Sequence, residues 1–409
     1  MDEPRHDVAE REQRPPAARD GSEEMELADA AAAELEEQEQ DIEARGAALL
    51  GDRRRMLSLL AAVVLLIVAV YVILPKVAGV GDALDRVSDA TWYWIVAAAG
   101  FNALSFASYA ALFRGVLGGR DDDEIRRRLD FRASYQITMA GFVATVLFSA
   151  AGAGGVALTY WAIRKAGMER RRAACRMVAF MVLLYSVYAS ALIVFGVLLR
   201  NGILSGDHPV GGTIVPAAIA GVLLVLAALL SLVPQDAERR IRNLGKRGAR
   251  WADIAGAAAR VPATLAAGVR TAIAYLRHPM RQIGAILGAI GWWAGNIGIL
   301  WGCFHAFGVS VPVGVLVQGY FVGMVSNLAP SPAGGVGTVD AGMIGSFVLF
   351  GLPLEAVIPA VLLFRVIGFW LPIPVGIWAY IQLRRTVSRW DAETPGATIK
   401  SKVKAAEAT

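Results

Sequence analysis

Histidine and cysteine are scarce in this chain. His6, His208, His278 and His305 are scattered, with no HExxH and no pair at i, i+4, and Cys175 and Cys303 stand far apart with no CxxC. That spacing offers neither a zinc signature nor a disulfide framework. No GxxxxGKS or GxxxxGKT stretch occurs, so the sequence carries no phosphate loop for ATP. No metal or cofactor is expected. Charge is thin, with Asp, Glu, Lys and Arg forming 18% of the 409 residues. Aromatic residues are missing from 1–52, a stretch crowded with Glu, Ala, Arg and Gln. Such a segment cannot bury enough apolar surface to fold alone, and it is expected to be a disordered acidic cytoplasmic tail. It does not read as a secretory signal. The acidic stretch comes before the first apolar block, and Arg53, Arg54 and Arg55 abut that block without a cleavage site.

What is abundant is apolar. Hydrophobic residues make up 56% of the chain, and they cluster in blocks of about twenty, the length of a membrane-spanning helix. Full spans are expected at 56–74, 91–113, 174–199, 213–233, 283–307 and 356–383. Trp92, Tyr93 and Trp94 rim the second, as an aromatic belt at the water boundary would. Pro359, Pro372 and Pro374 predict kinks in the last. Two further apolar segments, 135–163 and 313–350, are broken by glycine. Each contains Ala-Gly-Gly-Val, at Ala153–Val156 and Ala333–Val336.

Charge then sets an expected topology. Residues 1–55 carry 8 basic and 17 acidic residues, and the remainder carries 32 and 18, so an acidic tail precedes a basic membrane body. The basic residues collect at helix ends, where orientation needs them, and no nucleic-acid partner is expected. Arg53–Arg55 place the N-terminus inside. The loops 114–134 and 164–172 are both rich in arginine, so both belong inside, and the segment 135–163 between them must enter and leave on one face. The 236–281 loop and Arg384, Arg385 and Arg389 are inside as well, which makes 313–350 a second hairpin from the opposite face. The expected fold is an all-α polytopic membrane protein with about six full spans and two re-entrant helical hairpins in an inverted-topology repeat. The expected organisation is an acidic tail 1–52, a first membrane half 53–233, a connector 234–282, a second half 283–385 and a cytoplasmic tail 386–409. In the connector, Ile241, Leu244, Trp251 and Ala255 recur at helical spacing beside Arg239, Arg240, Arg242, Lys246, Arg247 and Arg250. That suits an interfacial helix on anionic lipid, or a solvated basic linker.

Asn327 to Asp340, followed by Arg365 in a proline-rich final helix, resembles the flippase-like family named for the membrane region of lysylphosphatidylglycerol synthases. Pro330, Pro332, Gly334, Gly335, Gly337, Asp340 and Arg365 match the family's C-terminal signature of a Pro-x-Pro-Gly-Gly-x-Gly stretch, an acidic residue and a late arginine. Ala333 stands where glycine is more usual, and Asp340 where glutamate is. The first copy lacks the prolines and has Tyr160 in place of the acid. The resemblance covers about residues 56–385 and implies the membrane module alone, without an aminoacyl-transfer domain.

The candidate substrate-binding residues follow. Broken helices in membranes present free N–H groups and a positive dipole end to an anion. Gly154 and Gly155 in the first copy, and Gly334, Gly335 and Gly337 in the second, allow close backbone approach. Pro330 and Pro332 stiffen the second. Asp340 and Arg365 are the charges expected at membrane depth, and each needs a partner. They are expected to pair, with Arg365 open to a phosphate or else serving only as a structural lock. Arg176 is a second headgroup contact or a snorkelling side chain. His305 is expected to be a hydrogen-bonded structural histidine. Gln136, Gln318 and Asn327 are expected to hydrogen-bond within the hairpins. The expected function is a flippase, not an enzyme, for an anionic phospholipid or lipid-linked intermediate in the cell membrane, with both termini cytoplasmic. Membrane lipids and an envelope-biosynthesis enzyme are the expected partners. A membrane glycosyltransferase using a polyprenyl-phosphate donor, its acids drawn from Asp82, Asp85 and Asp89, is one alternative. A non-transporting assembly partner is the other.

Overall fold

A computed structural model describes residues 91–119, 122–147, 153–232, 264–277, 280, 282–328, 335 and 337–393. They all fall in one compact unit, Val70–Thr409. The acidic tail, the span at 56–74, the loop acids 82–89, the basic face at 239–255, and Pro330, Pro332 and Gly334 lie outside the described residues.

Every regular element described is a helix: α1 Trp92–Leu117, α2 Asp123–Arg128, α3 Phe131–Leu147, α4 Ala153–Lys165, α5 Arg170–Arg200, α6 Ile214–Ser231, α7 at 264–277, α8 Ile283–Ala306, α9 Val313–Met324, α10 Thr338–Leu349, α11 Leu354–Arg365 and α12 Pro372–Glu393. A 3-10 turn, Val325–Leu328, follows α9, and a π-helical segment, Val366–Trp370, joins α11 to α12. Five helical stretches are long and apolar enough to cross a membrane: α1, α5, α6, α8 and the forty residues Leu354–Glu393. The chain is an all-α polytopic membrane protein.

At the centre α1 lies along α8. Gly288, Gly291, Gly295, Gly298 and Gly302 recur every three or four residues and so share one face of α8. A methyl group on Gly295 would sit 2.6 Å from Ser105 Cβ, and one on Gly288 would sit 2.5 Å from the Leu112 nitrogen. The two backbones therefore touch, as small-residue seams allow where lipid offers no hydrophobic driving force. Ala98 faces Gly302, Ser105 faces Gly295 and Gly115 faces Ala285, so the pair is antiparallel. His305, near the end of α8, points Nδ1 at the Trp301 carbonyl at 3.0 Å and lies against the Trp94 ring.

Each broken apolar segment is a pair of short helices packed together, α3 with α4 and α9 with α10. Gly155 lies against Gly141 and Thr145 in the first pair, and Gly323 lies against Met343 in the second. The pairs reach outward in a matched way. α3 packs on α12, and α9 packs on α5. Gln136 and Gln318 stand sixth in α3 and α9. Gln136 Oε1 accepts from the Thr386 hydroxyl of α12 at 3.0 Å, and Gln318 Nε2 donates to the Gly212 carbonyl, beyond α5, at 2.9 Å. Both glutamines therefore bond to other parts of the chain, one to a helix and one to the turn before α6, rather than within their own helix pairs.

The last helix runs on to Glu393, past the expected membrane boundary at Arg385. Its irregularity has a local cause. In the π register the Leu371 N–H goes to the Val366 carbonyl, at 2.9 Å. The next donor in that register, for Ile367, would be residue 372, which is proline and has no N–H. Asn102 of α1 supplies the missing donor, with Nδ2 2.6 Å from the Ile367 carbonyl.

Candidate functional site

A cavity of about 640 Å³ opens among α1, α3, α4, α5, α8 and the α9–α11 region. Its wall is largely apolar, with the rings of Tyr109, Trp292, Trp293, Tyr320 and Phe369 among its residues. Thr138, Thr145, Thr159, Asn296 and Asn327 add scattered polar groups. Among the described lining residues Arg365 is the single formally charged side chain. A mostly apolar pocket of this size with few polar groups is the usual form of a small-molecule site.

The second glycine motif builds the charged corner. Gly335 and Gly337 have φ of +90° and +83°, values open to glycine at little cost. They turn the chain into α10. Asp340 is the third residue of that helix, and its Oδ2 accepts from the Gly337 N–H at 3.0 Å. A carboxylate there satisfies an orphan donor and meets the positive helix end. Its Oδ1 lies 2.8 Å from Arg365 Nε. Arg365 Nη2 donates to the Gly335 carbonyl at 2.6 Å, and its Cζ sits 4.7 Å from the Phe369 ring centroid. Asp340 and Arg365 are 8% and 6% exposed, so each charge is buried beside an opposite charge.

This geometry changes the chemistry expected from sequence. Instead of offering all its N–H groups to an anion, the first turn of α10 has one of them occupied by Asp340. Among the described residues on the cavity wall the charged group is Arg365, and Asp340 sits beside it. The first glycine pair opens α4. Gly155 lines the cavity with Val156 and Thr159, and a methyl there would meet Thr145 Oγ1 and the Gly141 carbonyl. Gly154 is half-buried and does not line it.

Arg176 does not line the cavity, although Leu117 and Met177 beside it do. Its guanidinium is buried, and Nη1 donates to the Leu117 carbonyl at 2.8 Å. A cation at the C-terminal end of α1 is favoured by the helix dipole. The side chain is not extended to the surface, as snorkelling would require.

The cavity also draws on residues that sequence reasoning passed over. Tyr109, Trp292 and Trp293 look like ordinary core residues in an apolar run, and only their facing direction brings them to the wall. Asn102 does not line the cavity, and its partner Ile367 is 265 residues away in the sequence.

No solved structure matches the chain. A UPF0104 membrane protein of Methanothermobacter thermautotrophicus is 31% identical over 93 residues, 23% of this chain and 26% of that protein. The chain thus matches about a quarter of that relative's length. The family profile described as "Lysylphosphatidylglycerol synthase TM region" matches residues 58–376, well over half of the sequence, with both glycine motifs and the Asp340–Arg365 pair inside the match. The chain belongs to the lysylphosphatidylglycerol synthase transmembrane-region family.

Proposed function

We propose that this protein moves a phosphate-bearing lipid, an anionic phospholipid or a lipid-linked intermediate, between the leaflets of the cell membrane. One observation carries the reading: a largely apolar cavity has a single cation, Arg365, on its described wall. An amphiphile with an apolar tail and one phosphate matches that distribution. The arginine fork suits phosphate oxygens. Holding a charge at membrane depth costs about 2.5–3.5 kcal/mol on insertion scales, so intramembrane ionisable residues mark substrate paths by default.

The inverted-repeat reading has support from contacts. The antiparallel α1–α8 pair and the exchanged packing of α3 on α12 and α9 on α5 both fit halves related by inversion. The re-entrant reading has support from length. α9 and α10 have 12 residues each, about 18 Å of helix against about 30 Å of hydrocarbon. Gly155 and Gly335 bring both motifs to one cavity, which suits alternating access by rocking of the halves. Asp340 is engaged by Arg365 and by the Gly337 N–H, a state better suited to holding Arg365 than to acid–base work. Loop charge puts both termini in the cytoplasm, where an envelope-biosynthesis enzyme supplies or consumes the lipid.

The test is a headgroup-resolved flipping assay with purified protein in vesicles, comparing the native chain with Arg365→Lys and Arg365→Gln. Flipping should fall sharply in the glutamine variant. Unchanged flipping by a stably folded variant would reject the substrate role of Arg365. Deleting residues 1–50 should leave flipping intact, whereas a tethering protein would lose its function.

A further inference from the structure

The seam between α3 and α12 opens into a second cleft, of about 500 Å³, that shares no lining residue with the Arg365 cavity. Its walls are different in kind. Arg127 and Arg128 come from α2, Arg132 from α3 and Arg389 from α12. Two of its three carboxylates have work elsewhere. Glu124 holds Arg128 at 2.7 Å, and Asp130 accepts from the Ala133 N–H at 2.7 Å to start α3. Asp130 keeps its charge while it accepts that bond, so the lining sets four arginines against three carboxylates, a net of +1. On the wall sits Gln136, 5% exposed. Its Oε1 is taken by the Thr386 hydroxyl, so its amide nitrogen is the donor end.

The lining cations are all arginine, whose planar fork matches phosphate oxygens where lysine offers a point charge. The position argues for a lipid source. α12 is the end of a forty-residue helix with an apolar window. Arg384, Arg385 and Arg389 follow the apolar run of that helix, as basic residues do at the cytoplasmic end of a span. Basic clefts between membrane helices hold anionic headgroups. We infer that this cleft binds the phosphate headgroup of an anionic phospholipid in the adjoining leaflet, and that the bound lipid ties α2 and α3 to α12. The site stands on its own lining and does not depend on the transport reading.

The experiment uses the full chain purified in detergent, titrated with phosphatidylglycerol, phosphatidylcholine or glycerol 1-phosphate. Thermal unfolding and native mass spectrometry of retained lipid are the readouts. Phosphatidylglycerol should raise Tm with concentration, and phosphatidylcholine should not. Combining Arg132→Gln with Arg389→Gln should weaken phosphatidylglycerol retention about tenfold, with the Arg365 cavity untouched. Arg200→Gln, at the end of α5 and outside the cleft, should leave retention unchanged. Glu393→Gln should tighten retention, which reads the site independently if the double variant folds poorly. Equal responses to the two lipids, or an unaltered response in a folded double variant, overturn the proposal. A full response to glycerol 1-phosphate alone overturns the lipid source.

Discussion

Arg365 holds the Gly335 carbonyl with Nη2 at 2.6 Å while its Nε lies 2.8 Å from Asp340 Oδ1. The cation of the last membrane helix thus fastens the turn that opens α10 and the first turn of α10 together. The same side chain lines the cavity. The fastening of this turn and the proposed substrate contact fall on one residue, and variants separate them.

Removing one member of a buried ion pair leaves the other charge stranded, at about 3–5 kcal/mol. Arg365→Gln and Asp340→Asn should each lower the unfolding temperature of the detergent-solubilised protein. The double variant should regain most of that loss, because neither charge is left alone. Flipping should stay lost in the double variant and persist in part in Asp340→Asn, which keeps the cation. If the double variant flips normally, Arg365 is only a lock.

Gly335 and Gly337 share a positive φ but differ in surroundings. A methyl on Gly335 would sit 2.7 Å from Val339 Cγ2, whereas one on Gly337 meets nothing within 4 Å. Gly337, at φ +83° and ψ −48°, lies outside the left-handed helical basin, and Gly337→Ala should cost about 1–3 kcal/mol from backbone strain alone. Gly335→Ala should cost more, because Val339 must also move. Unfolding of the two single variants under one condition checks the order.

Asn102 gives the Ile367 carbonyl the donor that Pro372 cannot. Asn102→Leu should cost about 1–3 kcal/mol, the penalty of an unsatisfied buried acceptor. Pro372→Ala returns a backbone N–H and should recover part of that loss in the Asn102→Leu background. No recovery would mean that Asn102 acts through packing instead.

Along the α1–α8 seam, a side chain at Gly295 has no space, whereas a methyl on Gly284 would meet nothing within 4 Å. Gly295→Leu should therefore lower the unfolding temperature and flipping together, by forcing the helices apart. Gly284→Leu should change neither. Thermal unfolding and vesicle flipping on the same preparations make the comparison.

Much of the fold was legible from residues alone. Expected spans at 283–307 and 174–199 became Ile283–Ala306 and Arg170–Arg200. The second starts earlier because a hydropathy window stops at charge, while a helix continues through Arg170, Arg171 and Arg172. The Asp340–Arg365 pairing was legible for a related reason: a charge that cannot reach water needs an opposite charge, and few others lie in the apolar runs. The place of Arg176 was not legible, since an arginine near a helix start reads the same whether it snorkels or bonds to Leu117.

Composition and the order of charges along the chain determined what can enter a bilayer, where helices break and which charges must be paired, because transfer from water is a property of each segment by itself. Tertiary structure decided the rest. It set Gly295 against Ser105, Gln136 against Thr386 and Asn102 against Ile367. It also turned Tyr109, Trp292 and Trp293 toward one cavity. Those choices depend on which helix faces which across hundreds of residues, and no local hydropathy or propensity encodes that.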